Sequence, residues 1–115
     1  MFLRIALAAQ TVALLLQAVT AGLLLSSPGG RAAHSATALA VAATVLLYLV
    51  AAVMTKQRAA ILAAVGMLVA TLVQMALGMA HVKGVHVPLG VLMFGGSMVQ
   101  TARVWSAGRL RTTSA

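Results

Sequence analysis

The side chains of this 115-residue sequence that could carry out chemistry are chiefly three histidines, His34, His81 and His86. The chain has no Asp, Glu or Cys, so it lacks the usual general acids and bases, carboxylate and thiolate metal ligands, and disulfides. A neutral imidazole, in contrast, can bind iron. The sequence therefore predicts no catalytic residue and favours the binding of a metal or cofactor by histidine.

Two of these histidines occupy corresponding places, each near the start of an apolar segment. His34 lies in GGRAAHSATALA and His86 in GVHVPLGVLMFGG. If both segments are parallel helices of one bundle, the two imidazoles lie at similar depth, as the axial ligands of a haem iron require. The competing interpretation is that both are ordinary residues of a membrane boundary, with Pro88 opening the fourth helix. The sequence leaves both interpretations open.

The residues around the two histidines are compatible with a flat macrocycle. Ala38 and Gly90 each lie one turn further along and leave room for it, and Met93 offers an apolar contact in the next turn. Arg31 and Lys83 lie in the same outer loops as the histidines, where they are expected to pair with haem propionates. These five residues are the predicted cofactor-binding set, with His34 and His86 as the metal ligands.

The composition indicates the environment in which these residues act. Hydrophobic residues make up 63% of the chain and charged residues only 7%, and the mean hydropathy is +1.09. A soluble domain needs a more charged surface, so the predicted solvent is a lipid bilayer. The net charge of +8 is spread singly between apolar runs, which argues against nucleic acid and for topology signals and contacts with anionic lipid.

Four apolar runs predict the elements that position the histidines. They cover about residues 3–25, 33–54, 59–80 and 86–105, with a polar tail over 106–115, and the first reads as a retained helix. Short connections predict one transmembrane domain, an all-α, up-down four-helix bundle. The positive-inside rule then places both termini in the cytoplasm and the histidines near the outer face of the inner (plasma) membrane. The basic residues on the inner side are Arg4, Lys56, Arg58, Arg103, Arg109 and Arg111, against Arg31 and Lys83 outside.

Polar residues inside the apolar runs form two weak stripes. Gln10 and Gln17 share a face of the first helix, and the third helix carries a second stripe that ends at His81. Such residues usually form hydrogen bonds between helices, and His81 is expected to face the membrane interface. The stripe of the third helix contains Thr71, Gln74, Gly78 and His81.

Histidines near the outer starts of the second and fourth helices resemble one half of haem A synthase, a membrane enzyme with two similar four-helix halves. The resemblance rests on His34 in RAAHSATALA and His86 in VHVPLGVLMFGG. It implies a haem b held by these two histidines and a homodimer that pairs as the enzyme's halves do. The catalytic half of that enzyme has an acidic residue three positions before its first histidine, and the corresponding residue here is Arg31. The enzyme's pair of cysteines in an outer loop is also absent from this chain. The resemblance therefore does not imply haem hydroxylation.

Three classes of function are compatible with the sequence. The first is a haem b protein in electron transfer, haem handling or respiratory-complex assembly, with a lipid quinone or a periplasmic electron carrier as partner. The second is an accessory subunit without haem, because the Ala- and Gly-rich helices suit packing in a larger complex. The third, a small multidrug-resistance-like transporter, matches in size alone, since Gln10 and Gln17 stand where proton coupling needs a glutamate.

Overall fold

The computed structural model describes residues 1–114, which form four long α-helices. They are α1 (Phe2–Ser26), α2 (Gly30–Thr55), α3 (Arg58–Met79) and α4 (Lys83–Thr113), in a bundle of 54 × 22 × 21 Å. Each helix is long and apolar enough to cross a membrane. The predicted all-α, four-helix class is confirmed, and the chain is a small four-span membrane protein.

The helices follow one another around the bundle. α1 packs against α2 and α4, and α3 packs against the same two helices, so α2 and α4 are diagonal. Short turns make consecutive helices antiparallel, and α2 and α4 therefore run in the same direction. The start of α1 and the end of α4 lie at one end of the bundle, which we call the terminal end. The α1–α2 and α3–α4 turns form the opposite end, which we call the histidine end.

Alanines share the interior with a few large side chains, and most of the large apolar side chains face outward. Leu25 is 82% exposed and Leu92 70%, whereas Ala52 and Ala64 are fully buried. This pattern suits helices that approach each other closely and present their bulk to lipid. The interior has two apolar clusters, one nearer the terminal end and one at mid-height. The first contains Ala6, Leu7, Tyr48, Ala51, Ala52 and Ala64, and the second contains Ala13, Leu14, Val41, Val45 and Met93.

The start of α2 is fixed by a close contact between backbones. Gly30, the first residue of the helix, is buried against α1, and a Cβ at this position would overlap the carbonyl group of Leu23. Only glycine therefore permits this approach. The contact lies one turn before His34 and thus sets how near that histidine comes to α1.

The fourth helix differs from its prediction at both ends. It begins at Lys83, so His86 is its fourth residue and Pro88 lies inside the helix instead of opening it. Proline has no N–H, so α4 lacks the backbone hydrogen bond that residue 88 would otherwise donate to the Gly84 carbonyl oxygen. At the other end the predicted polar tail is helical through Thr113. Ala115 lies outside the described residues.

Candidate histidine site

The two predicted ligands meet inside the bundle. His34 on α2 and His86 on α4 have ring centroids 6.3 Å apart, with the ring planes at 71° to each other. Both side chains are half-buried at the histidine end. The short turns bring two residues that are 52 positions apart in the sequence to the same depth on diagonal helices.

His86 is held by α3 through a reciprocal pair of hydrogen bonds. Its Nδ1–H donates to the Gln74 carbonyl oxygen at 3.0 Å, and the Gln74 side-chain Nε2 donates to the His86 carbonyl oxygen at 2.7 Å. Since the acceptor at Nδ1 is a carbonyl, the proton of the neutral ring is on Nδ1 and Nε2 carries a lone pair. A backbone carbonyl in this position is the usual outer-shell partner of a metal-binding histidine.

His34 is held by α1 in a closed cycle of hydrogen bonds. Gln17 Nε2 donates to His34 Nε2 at 3.2 Å, and His34 Nδ1–H donates to Thr20 Oγ1 at 3.2 Å. The Thr20 and Thr37 hydroxyl oxygens lie 2.8 Å apart, and the Thr37 hydroxyl donates to Gln17 Oε1. Both hydroxyl groups are also within hydrogen-bond distance of a backbone carbonyl oxygen, Thr20 of Gln17 at 3.1 Å and Thr37 of His34 at 3.1 Å. Because the Gln17 Nε2 group can only donate, the neutral His34 ring carries its lone pair on Nε2, as His86 does.

A cavity of about 250 Å³ lies beside the two histidines. All four helices line it, and the apolar cluster at mid-height, including Leu14, Val41 and Met93, closes it below. On the lipid side its lining includes exposed residues of α1 and α4, among them Ala18 and Val91. The cavity is thus an apolar space with polar groups only at the histidine end.

The residues predicted to surround a cofactor occupy different parts of this site. Ala38 and Met93 line the cavity as expected, and Arg31 and Lys83 are exposed at the same end of the bundle. Gly90 also lines the cavity, but the space beside it is filled, because a Cβ there would lie 2.9 Å from Gln74 Nε2.

His81 does not reach the cavity. It is exposed in the α3–α4 turn with φ 58°, in agreement with its expected place outside the bundle, and it does not extend the inward face of Thr71 and Gln74. The reason is that α3 ends at Met79, so the three-four periodicity stops before His81.

Sequence reasoning missed the partners of both histidines. The cycle around His34 uses Gln17 and Thr20 on α1 and Thr37 on α2, and Gln74 binds His86. A signal was present, because Gln17 and Thr20, and likewise His34 and Thr37, are three residues apart and share a helix face. The interhelical hydrogen bonds expected of Gln17 and Gln74 are found, with the histidines themselves as partners.

A second polar cluster lies between α1 and α4, nearer the terminal end. Gln10 and Ser97 are fully buried, and Gln10 Nε2 donates to Ser97 Oγ at 3.0 Å. The Thr11 hydroxyl lies 2.7 Å from Ser97 Oγ and 3.1 Å from Thr101 Oγ1. Within residues 1–114, Gln10 Oε1 and Gln74 Oε1 are buried oxygens without a hydrogen-bond partner. Gln10 thus joins two helices with half of its amide unsatisfied.

Comparison with known proteins adds no relative. No protein-family model, curated protein or solved structure matches the chain. Among residues 1–114, no cluster of three or more His, Cys, Asp or Glu side chains is placed to hold a metal. Chemistry at this site thus depends on the two imidazoles, and the resemblance to haem A synthase stays a prediction from His34 and His86.

Proposed function

We propose that this chain is a small membrane haem b protein in which His34 and His86 are the axial ligands. The observation that carries the proposal is the 6.3 Å separation of the two ring centroids on diagonal, parallel helices. Two imidazoles that held one metal ion between them, through metal–nitrogen bonds of about 2 Å, would have ring centres roughly 6 Å apart. The spacing of the rings therefore agrees with bis-imidazole ligation.

The protonation pattern of the histidines supports the same assignment. An imidazole binds iron through an unprotonated nitrogen, and both rings carry that lone pair on Nε2. The Gln74 carbonyl on His86 Nδ1 and the Thr20 hydroxyl on His34 Nδ1 are the outer-shell partners that fix this tautomer. The chain therefore supplies two neutral nitrogen donors without any carboxylate.

Two features must change before a porphyrin fits. His34 Nε2 accepts a hydrogen bond from Gln17, so the ring has to leave that amide, at a cost of about 1 kcal/mol. The cavity of about 250 Å³ is also smaller than the roughly 300–1,000 Å³ typical of ligand pockets. The cavity therefore has to widen. The helices α1 and α4 can separate on the lipid side, where Ala18 and Val91 line the cavity and are exposed.

A bound haem would supply one-electron chemistry, and the chain would set its orientation and surroundings. Arg31 and Lys83, at the same end, are the candidates to pair with the propionates. The excess of Lys and Arg at the terminal end orients that end toward the cytoplasm and the histidine end outward. From there a lipid quinone or a periplasmic carrier can exchange electrons with it, and the roles we propose are electron transfer, haem handling or respiratory-complex assembly.

The alternatives make different demands on the same residues. As an accessory subunit, in a larger complex or as a homodimer, the chain would use its small-residue faces, and the histidine site would be structural. As a transporter coupled to protons, it would need a titratable group on α1, where Gln10 and Gln17 are bound to Ser97 and His34. The closeness of two imidazole rings, each with an unprotonated Nε2, favours the haem protein over both.

The deciding experiment is the absorption spectrum of the full chain purified from haem-replete cells. We expect a reduced spectrum of the low-spin bis-imidazole type that is lost in His34→Ala and in His86→Ala. His81→Ala is the matched control, because His81 is exposed in the α3–α4 turn, and it should keep the spectrum. Colourless protein, or a spectrum that survives both ligand substitutions, would overturn the proposal.

A further inference from the structure

An open groove of about 410 Å³ lies between α1 and α4 near the terminal end. The part of the groove furthest from the end of α4 is lined by the exposed Met98 and Ala102, with the hydroxyl groups of Thr11 and Thr101 beside them. Trp105 forms part of the wall, and Ser106 and Arg109 lie at the level of the helix end. Along α4 the lining of the groove therefore changes from apolar to cationic. A phospholipid has the same order, from its apolar acyl chain to its anionic phosphate.

A second cation is fixed beside this groove. The guanidinium group of Arg4, on α1, packs on Gly108, where any Cβ would overlap it, and lies 5.7 Å from the centre of the Trp105 ring. A cation at this distance from an indole is attracted by the negative face of the ring. Arg4 is thereby held close to the indole that forms the wall.

The cations at this end have no acidic side chain to pair with. The chain contains no Asp or Glu, and six of its eight Lys and Arg residues lie at the terminal end. Among residues 1–114, the Arg109 guanidinium donates one hydrogen bond, to Ser106 Oγ at 3.3 Å, so most of its N–H groups have no acceptor within this part of the chain. An arginine with free donors is well suited to a phosphate group.

We infer that this groove is a binding site for one anionic phospholipid. The phosphate lies against Arg109 and Ser106, and Arg4 adds positive charge from beside Trp105. One acyl chain follows Met98 and Ala102 toward the middle of the bilayer. Charge complementarity selects an anionic lipid, since a zwitterionic headgroup brings its own cation to the same arginines. The site is separate from the histidine cavity and does not depend on haem.

Trp105 is the only tryptophan and reports directly on the groove. The experiment measures its fluorescence in micelles of the full chain, with phosphatidylglycerol or phosphatidylcholine brominated on an acyl chain as quencher. We expect phosphatidylglycerol to quench at a lower mole fraction than phosphatidylcholine. Arg109→Gln should reduce this preference about fivefold, the contribution of one cation near an anionic surface. Arg109→Lys keeps the charge and should retain most of it.

Lys56→Gln is the matched control, because it removes the same charge at the same end but lies in the α2–α3 turn outside the groove. It should leave the lipid preference unchanged. Equal quenching by the two lipids would overturn the inference. So would an equal loss of preference in Lys56→Gln and Arg109→Gln, since that result would mean a diffuse positive field. Comparing two lipids in one preparation cancels any quenching by a bound haem.

Discussion

Gln74 and His86 bind each other twice, the imidazole to the Gln74 carbonyl at 3.0 Å and the Gln74 amide to the His86 carbonyl at 2.7 Å. Two glycines make this possible. Gly78 leaves space for the imidazole, with a would-be Cβ 3.1 Å from His86 Cε1, and Gly90 leaves space for the Gln74 amide. The pair fixes the tautomer and the position of His86 from a neighbouring helix. The α3–α4 contact at the histidine end is therefore specific to these residue types.

The first prediction concerns Gly78. Gly78→Ala places a methyl group against His86 Cε1 and should lower the thermal stability of the purified protein, because the ring must move away from the Gln74 carbonyl. Gly66→Ala is the control on the same helix, where nothing lies within 4 Å of the added methyl. It should be neutral or stabilising, since alanine is favoured over glycine within helices by about 1 kcal/mol. Equal melting temperatures for the two variants would contradict the tight fit of His86.

The second prediction concerns the first turn of α2. Gly30→Ala should destabilise the protein by more than about 2 kcal/mol, because the new methyl overlaps the backbone of α1 at Leu23. The contact also sets the distance from His34 to Gln17, so the variant should bind haem less well. Gly29→Ala changes the preceding residue, where nothing lies within 4 Å. Equal melting temperatures for Gly30→Ala and Gly29→Ala would show that α2 does not contact the α1 backbone at Gly30.

Much of this architecture was predictable from the sequence, because the length and hydropathy of an apolar run are enough to identify a membrane helix. The equal depth of His34 and His86 followed from short turns alone. What could not be predicted is how each helix is rotated about its axis, since a nearly uniform apolar surface has no strong inward face. The sequence therefore predicts open space beside Gly90, whereas the rotation of α3 places the Gln74 side chain in that space.

The partners of the histidines show the same limit. The sequence predicts that Gln17 forms a hydrogen bond to another helix. Its position on one face with Gln10 does not determine which helix supplies the partner of each glutamine. In the structure they separate, Gln17 toward α2 and Gln10 toward α4. Pro88 predicts the first turn of a helix, where a missing N–H costs nothing, whereas α4 begins five residues earlier at Lys83 and does without one backbone hydrogen bond at Pro88.

The third prediction concerns the buried pair Gln10 and Ser97. Ser97→Ala should cost about 1–3 kcal/mol, because it removes the partner of Gln10 Nε2 and leaves a buried amide without hydrogen bonds. Gln10→Leu should cost less, since it also removes the unsatisfied Oε1 and leaves Ser97 bound to Thr11. The double variant should be more stable than Ser97→Ala alone. Thermal unfolding of the three variants in one detergent measures this order, and a double variant less stable than Ser97→Ala would contradict it.

The last prediction concerns the competition between Gln17 and iron for His34, and it builds on the proposed haem function. Gln17→Leu removes the N–H that occupies His34 Nε2, so haem should bind about fivefold more tightly, the equivalent of one hydrogen bond of about 1 kcal/mol. Gln10→Leu is the matched control on the same helix and should leave haem affinity unchanged, because Gln10 bonds to Ser97. Titration of the haem-free chains with haem, followed by absorbance, measures both. Weaker binding in Gln17→Leu would mean that this glutamine orients His34 for the iron and does not compete with it.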